Sequence, residues 1–252
     1  MTPLKLSVDS EGRVHGPRIT WNDPWPCRNG DAGGMKVPSG VLGMLVHTQV
    51  GNNPGSVSWF NNSASQASAH FCVAQDGSIV QMGPVNGWKA WHAAEGNPHW
   101  FGCEFADDGN PANPLTASQV IAGAQLLELL SRPDVGRFPL QMSNSPSTEG
   151  LGWHGMGGVA FGGHFDCPGD TRKAQRPRII ALAAAIRAGG SQAGPFRHTA
   201  PGGKTLGEIA AARSTTPEHV FGVSAKAYTA ADVAVIATLP LPPGFPYYTS
   251  SP

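Results

Sequence analysis

The chain has 252 residues, and its 17 Lys+Arg are balanced by 17 Asp+Glu. That leaves none of the basic field that non-specific nucleic-acid binding requires. Gly and Pro make up a little over a fifth of the residues and 40% are hydrophobic, which describes a loop-rich globular protein rather than a low-complexity one. At about 150 residues per domain, the length holds one large domain, or a medium one with a small module.

Residues 1–39 are rich in Gly, Pro and Trp and show no period, so they read as a turn-rich lead-in. The run Val41–His47 is a short apolar segment of the buried-strand kind, ending on a histidine. A Gly/Asn/Pro/Ser loop is expected over 51–58. The runs 70–74 and 78–82 flank Gln75-Asp76-Gly77 and predict a β-hairpin, and 100–107 predicts a further strand. Thr116 is placed to cap a helix whose apolar residues Val120, Ile121, Ala124, Leu127 and Leu130 recur at spacings of three and four. Residues 133–163 read as loop and grow Gly-dense toward their end. A second helix is expected over roughly 171–188, capped by Asp170 or Thr171. The segment 189–195 is a linker by composition. Beyond it, a short strand, a helix over 205–213, another helical stretch and a Pro-broken strand form a separate small module. Strands interleaved with helices, with a hairpin among them, indicate an α/β fold: a mixed β-sheet covered by helices.

No stretch approaches the ~20 apolar residues of a membrane helix. The N-terminus has no basic start followed by an apolar run, so no secretory signal is read there. Cys27, Cys72, Cys103 and Cys167 are scattered without a CxxC pair and are expected to be mostly reduced.

Six of the nine histidines lie between 47 and 164: His47, His70, His92, His99, His154 and His164. His47 ends an apolar strand, where a side chain can leave the core and enter a cleft. His154 and His164 sit in Gly-rich sequence close to Cys167, which precedes Pro-Gly-Asp. Imidazole and thiolate are zinc ligands, and a hydrolytic zinc site needs three protein ligands with a position left for water. Two His and one Cys meet that count. Their spacing matches no compact finger, so a catalytic site assembled from distant segments is expected.

These residues carry a resemblance. Val46-His47-Thr48, Ser68-Ala69-His70-Phe71, Asp76–Gln81, Ala90-Trp91-His92-Ala93, Gly102-Cys103-Glu104 and Cys167-Pro168-Gly169 occur in one order over about 40–188. In this the chain resembles the zinc-dependent type-2 N-acetylmuramoyl-L-alanine amidases and peptidoglycan recognition proteins, in the form found in phage lysins. The resemblance implies metal ligands at His47, at a late-loop histidine and at Cys167, with one zinc per chain. His154 is preferred as the second ligand because it follows Leu151-Gly152-Trp153 as the family ligand ends a strand; His164 is the alternative. Where many relatives carry a catalytic Tyr this chain has Ala69, and other relatives use a central-strand Glu, which makes Glu104 the acid/base. Relatives often place a Lys where this chain has Phe165, and His164 beside it is the expected oxyanion donor. His92, Asn97 and Trp100 are the expected substrate-cleft residues, and His70 is left outside the site as a packing residue.

The tail carries a second resemblance. The run His198–Leu206, then Glu208-Ile209-Ala210 and Thr215-Thr216-Pro217, is similar to a divergent LysM repeat, an α+β glycan-binding unit. The expected organisation is therefore a zinc amidase domain over 1–190 and a LysM-like cell-wall-binding module over 196–252. The implied partner is peptidoglycan, with no nucleic acid and no membrane span, and oligomeric state is not read. The lysin resemblance implies production in a host cytoplasm and action on the wall after release, or carriage on a virion. The competing readings are a non-catalytic peptidoglycan-recognition protein and a virion-associated wall-binding protein. Recognition-only relatives commonly lose the third ligand, and this chain keeps Cys167.

Overall fold

The computed structural model describes residues 5–189, 198–199, 205–212 and 246–247. Four short strands come first: β1 (Ser7–Val8), β2 (Val14–His15), β3 (Ile19–Trp21) and β4 (Gly30–Asp31). Next are β5 (Gly43–Thr48), α1 (Asn53–Asn61), β6 (Phe71–Val73), β7 (Ile79–Gln81), β8 (Lys89–Ala90), β9 (Trp100–Phe105) and α2 (Ala117–Leu130). The chain then adds β10 (Gly150–Trp153), a 3₁₀ segment (His154–Phe161), α3 (Asp170–Lys173), α4 (Arg176–Gly189), β11 (His198–Thr199), α5 (Leu206–Ala212) and β12 (Pro246–Tyr247).

Six strands form one mixed sheet in the order β10-β5-β9-β6-β7-β3. β10, β5, β9 and β6 are parallel, β7 returns antiparallel as the second arm of the expected hairpin, and β3 runs parallel to β7. Side chains alternate across a strand, so each strand supplies two faces. Met44 and Val46 of β5, Phe71 and Val73 of β6, and Phe101, Cys103 and Phe105 of β9 join residues of α2 and α4 in one buried apolar cluster. Each such large side chain contributes about 1.5–3 kcal/mol on burial. The intervening residues Leu45, Cys72 and Trp100 belong to two smaller clusters on the opposite side. His47, Gly102 and Glu104 share that parity.

Thr116 caps α2 as expected. Its Oγ1 accepts from Gln119 N–H, and the Gln119 side chain accepts from Thr116 N–H, a reciprocal capping box. Three expectations are corrected. The supposed loop 51–58 is largely α1: Asn52 Oδ1 accepts from Gly55 N–H, and Pro54 occupies the first turn, where a missing N–H costs nothing. The supposed loop 133–163 contains β10, which approaches β5 so closely that a Cβ on Gly43 would lie 1.8 Å from the Gly150 carbonyl oxygen. The glycines that admit this strand also hid it. The second helix is divided into α3 and α4, and Gly169 stands at the first N-cap in place of Asp170 or Thr171. At the break, Gln175 bonds both the N–H and the carbonyl of Leu115.

In the tail, β11 pairs antiparallel with β12. Thr205 and Glu208 form a capping box at the start of α5, and Ile209 joins the main apolar cluster. The helical stretch expected after residue 213 lies outside the described residues. Among the described residues no helix is long and apolar enough to cross a membrane. All four cysteines are free thiols.

Candidate metal centre and cleft

Parallel pairing sets His47 of β5 opposite Glu104 of β9, while Trp153 of β10 lies opposite Val46. His154 therefore continues β10 to the level of His47, and the two rings are 4.4 Å apart between centroids. The following loop returns to the same point. Gly155 N–H donates to the Cys167 carbonyl at 3.0 Å, and Cys167 N–H donates to the His164 carbonyl at 3.2 Å. One ligand atom from each of His47, His154 and Cys167 lies within 4.8 Å of the other two.

The donor chemistry of this trio fits a zinc-like ion. Two imidazoles and a thiol are zinc ligands, and imidazole ligates in its neutral form. Burial keeps both imidazoles neutral: His47 is held well below 6.5, with nearby histidines adding to the effect, and His154 is lowered to about 4. His154 Nε2–H donates to the Phe161 carbonyl at 2.8 Å. A carbonyl only accepts, so Nδ1 of that neutral ring carries a free lone pair. Burial pushes the Cys167 thiol up to about 12, with the Glu104 charge adding and the Thr48 backbone N–H opposing. A bound cation would have to displace that proton.

Glu104 is 9% exposed; its Oε1 lies 3.6 Å from His47 Nδ1, and its buried Oε2 has no hydrogen-bond partner. Burial first, then Asp107, raises its carboxyl to about 8, against the opposing Arg172. A buried carboxyl with a free oxygen beside a cleft is suited to carrying a proton. Beneath it, the wholly buried Arg172 donates to the carbonyls of Phe105, Ala106 and Asn113, fixing α3 under the end of β9.

The trio and Glu104 line a cleft of about 470 Å³ that also includes His92, Asn97 and His164. His164 is exposed and stacks on His154 at 4.7 Å; it stands outside the three-ligand group. The three expected substrate-cleft residues fall in different places: His92 and Asn97 line the cleft, and Trp100 does not. Trp100 is 1% exposed, packs with Leu45, Ala93 and Phe161, and lies opposite Gly43, at the far end of the strands from His47. His92 lines the cleft, but both its ring nitrogens are engaged inside the protein, with His47 Nε2 and the Trp100 carbonyl. Asn97 also lines the cleft, with its Oδ1 spent on the N–H groups of His92 and Ala93. His70, left outside the site, bonds the Trp88 carbonyl and the Gly102 N–H with its two nitrogens.

Trp91, which was not among the expected cleft residues, lines the cleft together with Phe60 and Phe161. Its indole N–H donates to Asp31 Oδ2 at 2.9 Å, and Lys89 pairs with the same carboxylate at 2.8 Å. The motif Ala-Trp-His was visible in the sequence, but nothing in it tied residue 31 to residue 91.

A mixed α/β protein with a His/His/Cys centre at the carboxyl ends of parallel strands is the class these features define. The N-acetylmuramoyl-L-alanine amidase family model, Amidase_2, matches residues 38–170, and the chain belongs to that family. It is 38% identical over 85 residues to N-acetylmuramoyl-L-alanine amidase A of Achromobacter lyticus, a match covering 33% of this chain and 47% of the relative. The chain thus spans about half the length of that curated relative. Among solved structures it is similar to N-acetylmuramoyl-L-alanine amidase LysC from Clostridium intestinale, with 19% identity, a TM-score of 0.44, and 63% and 93% of the two chains covered. It is also similar to the Staphylococcus aureus hydrolase AmiA, with 16% identity, a TM-score of 0.46, and 66% and 80% covered.

Proposed function

We propose that the protein is a zinc-dependent peptidoglycan hydrolase cutting the amide between N-acetylmuramic acid and L-alanine. One zinc per chain is held by His47, His154 and Cys167. The observation that carries this reading is the approach of the three ligand atoms to within 4.8 Å of one another, beside a buried Glu104 in an open cleft. When bound, the ion supplies a Lewis acid for the amide carbonyl and a water made acidic enough to attack at neutral pH. Glu104 receives the proton of the attacking water through its free Oε2 and passes it to the leaving amine of alanine. His164, exposed beside His154, donates a hydrogen bond to the developing oxyanion. Trp91 presents its ring as one wall of the cleft, and Asp31 keeps that ring from turning.

Residues 1–190 are the catalytic unit in this reading, and 196–252 form a LysM-like glycan-binding module. The β11–β12 pairing with α5 between them supports a strand–helix–strand module. Burial of Ile209 in the main cluster argues that α5 packs on the catalytic unit. The lysin role, acting on the wall after release from the cytoplasm, rests on the sequence resemblance. The test pairs the metal content of purified protein with release of free N-terminal alanine from cell walls. One zinc per chain with new alanine termini is expected; zinc without release would leave a recognition protein.

A further inference from the structure

His92 is buried and bonded at both ring nitrogens, yet the reaction outlined above gives it no step. Its Nε2 lies 2.9 Å from the Trp100 carbonyl oxygen. That oxygen can only accept, so Nε2 carries the proton. An imidazole base has a single N–H, so with Nε2 donating, Nδ1 is the acceptor. His47 Nε2 stands 3.1 Å from that nitrogen and must donate to it. A ligating imidazole has one N–H, and here it is committed to His92, so Nδ1 is left with its lone pair. That nitrogen is the one facing Glu104 Oε1.

Two further features hold His92 in this place. A Cβ on Gly102 would lie 2.6 Å from the His92 ring, so β9 is kept bare under the imidazole. Asn97 Oδ1 accepts the N–H groups of His92 and Ala93 at 2.9 and 2.6 Å, fixing the turn that carries the ring.

We propose that His92 is a positioning residue: the hydrogen-bond chain from His47 through His92 to the Trp100 carbonyl fixes the tautomer and angle of His47, so that Nδ1 is its ligating atom. This rests on the metal-centre reading above. Partners that hold a ligating histidine typically contribute about 10–100-fold to metal affinity. A second histidine differs from a carboxylate in this place because it adds no charge to the buried site.

The experiment uses the full chain. In the metal-free protein, long-range ¹H–¹⁵N correlation NMR should show His47 protonated at Nε2, with a scalar coupling across the hydrogen bond to His92 Nδ1. His47 protonated at Nδ1 would overturn the proposal without any variant. Zinc affinity, read by competition with a chromophoric chelator, should fall about 10–100-fold in His92→Leu. In His92→Asn, whose carbonyl oxygen replaces Nδ1 as acceptor, it should return to within a few-fold of the parent. Gly102→Ala, which pushes the ring away with His92 present, should lose affinity as His92→Leu does. Unchanged affinity in a folded His92→Leu protein would also refute the proposal. A parent protein that binds no zinc would instead sink the hydrolase reading, and the NMR result would still decide the tautomer.

Discussion

Along β5, Met44 and Val46 enter the apolar cluster shared with α2 and α4, while Leu45 and His47 face the other way. β9 repeats the division: Phe101, Cys103 and Phe105 lie on the helix side, and Trp100, Gly102 and Glu104 on the cleft side. The helix side is one continuous apolar cluster. The cleft side holds two small clusters together with the histidines and the buried carboxyl. The same strands serve packing and chemistry because successive side chains point in opposite directions. Substitutions on one side should therefore change stability, and those on the other should change metal binding or rate.

The largest effects belong to the ligands. His47→Ala and Cys167→Ala should each reduce zinc stoichiometry to near zero and wall hydrolysis to background, measured on the same preparation. If His154→Ala keeps stoichiometric zinc while His164→Ala loses it, the second ligand has been misassigned. Glu104→Gln should lower the rate by ~10²–10⁴-fold with zinc retained. His164→Ala should lower it by roughly 10²–10³-fold, again with zinc retained. Near-parental turnover in Glu104→Gln would require another proton carrier.

On the helix side, Phe101→Ala should cost about 3–5 kcal/mol in denaturant unfolding. The fraction that remains folded should bind zinc as the parent does, and a lost metal site in that fraction would break the division between the two sides. A smaller effect sharpens the comparison within the cleft side. His70 is fully buried and held near 4, against 6.5 for an unperturbed imidazole. Unfolding lets it take a proton, so stability is whole above pH 6.5, falls as pH drops toward 4, and levels off below. In metal-free protein, His70→Gln should reduce the acid slope by up to about 1.4 kcal/mol per pH unit within that window. The smallest effect is expected at Asp31, whose side chain is half-exposed. Asp31→Asn should raise KM a few-fold through a loosened Trp91 and leave kcat unchanged.

The central part of the fold was legible because its signals are local. β5 and β9 announce themselves as apolar runs, the hairpin by Gln-Asp-Gly, and α2 by Thr116 and its apolar stripe. The N-terminal strands are two or three residues long and exist only through their pairing, so no period could reveal them. His47 and Cys167 stand out by residue type at a strand end and before Pro-Gly, whereas Glu104 was marked only by the resemblance to the amidases. Trp100 was expected in the cleft because its distance from His47 along the sheet is set by register, which the sequence does not show. Glu104 lies opposite His47, whereas Trp100 lies opposite Gly43, at the other end of the same strands. Sequence parity gives the side of a sheet that a residue faces; only pairing gives its height along it.

β10 lies beside β5 at the edge of the sheet, although everything from Gln49 to Glu149 must be accommodated before the two can meet. Parallel contacts between such distant segments form slowly, since the entropy of closing the loop is spent before any contact compensates it. A nascent chain that has emerged only as far as α2 carries His47 and neither of the other two donors. It can hold no ion in this arrangement and activate no water. The catalytic power of the proposed enzyme therefore arrives only after β10 and the turn carrying Cys167 have been made and have closed on β5.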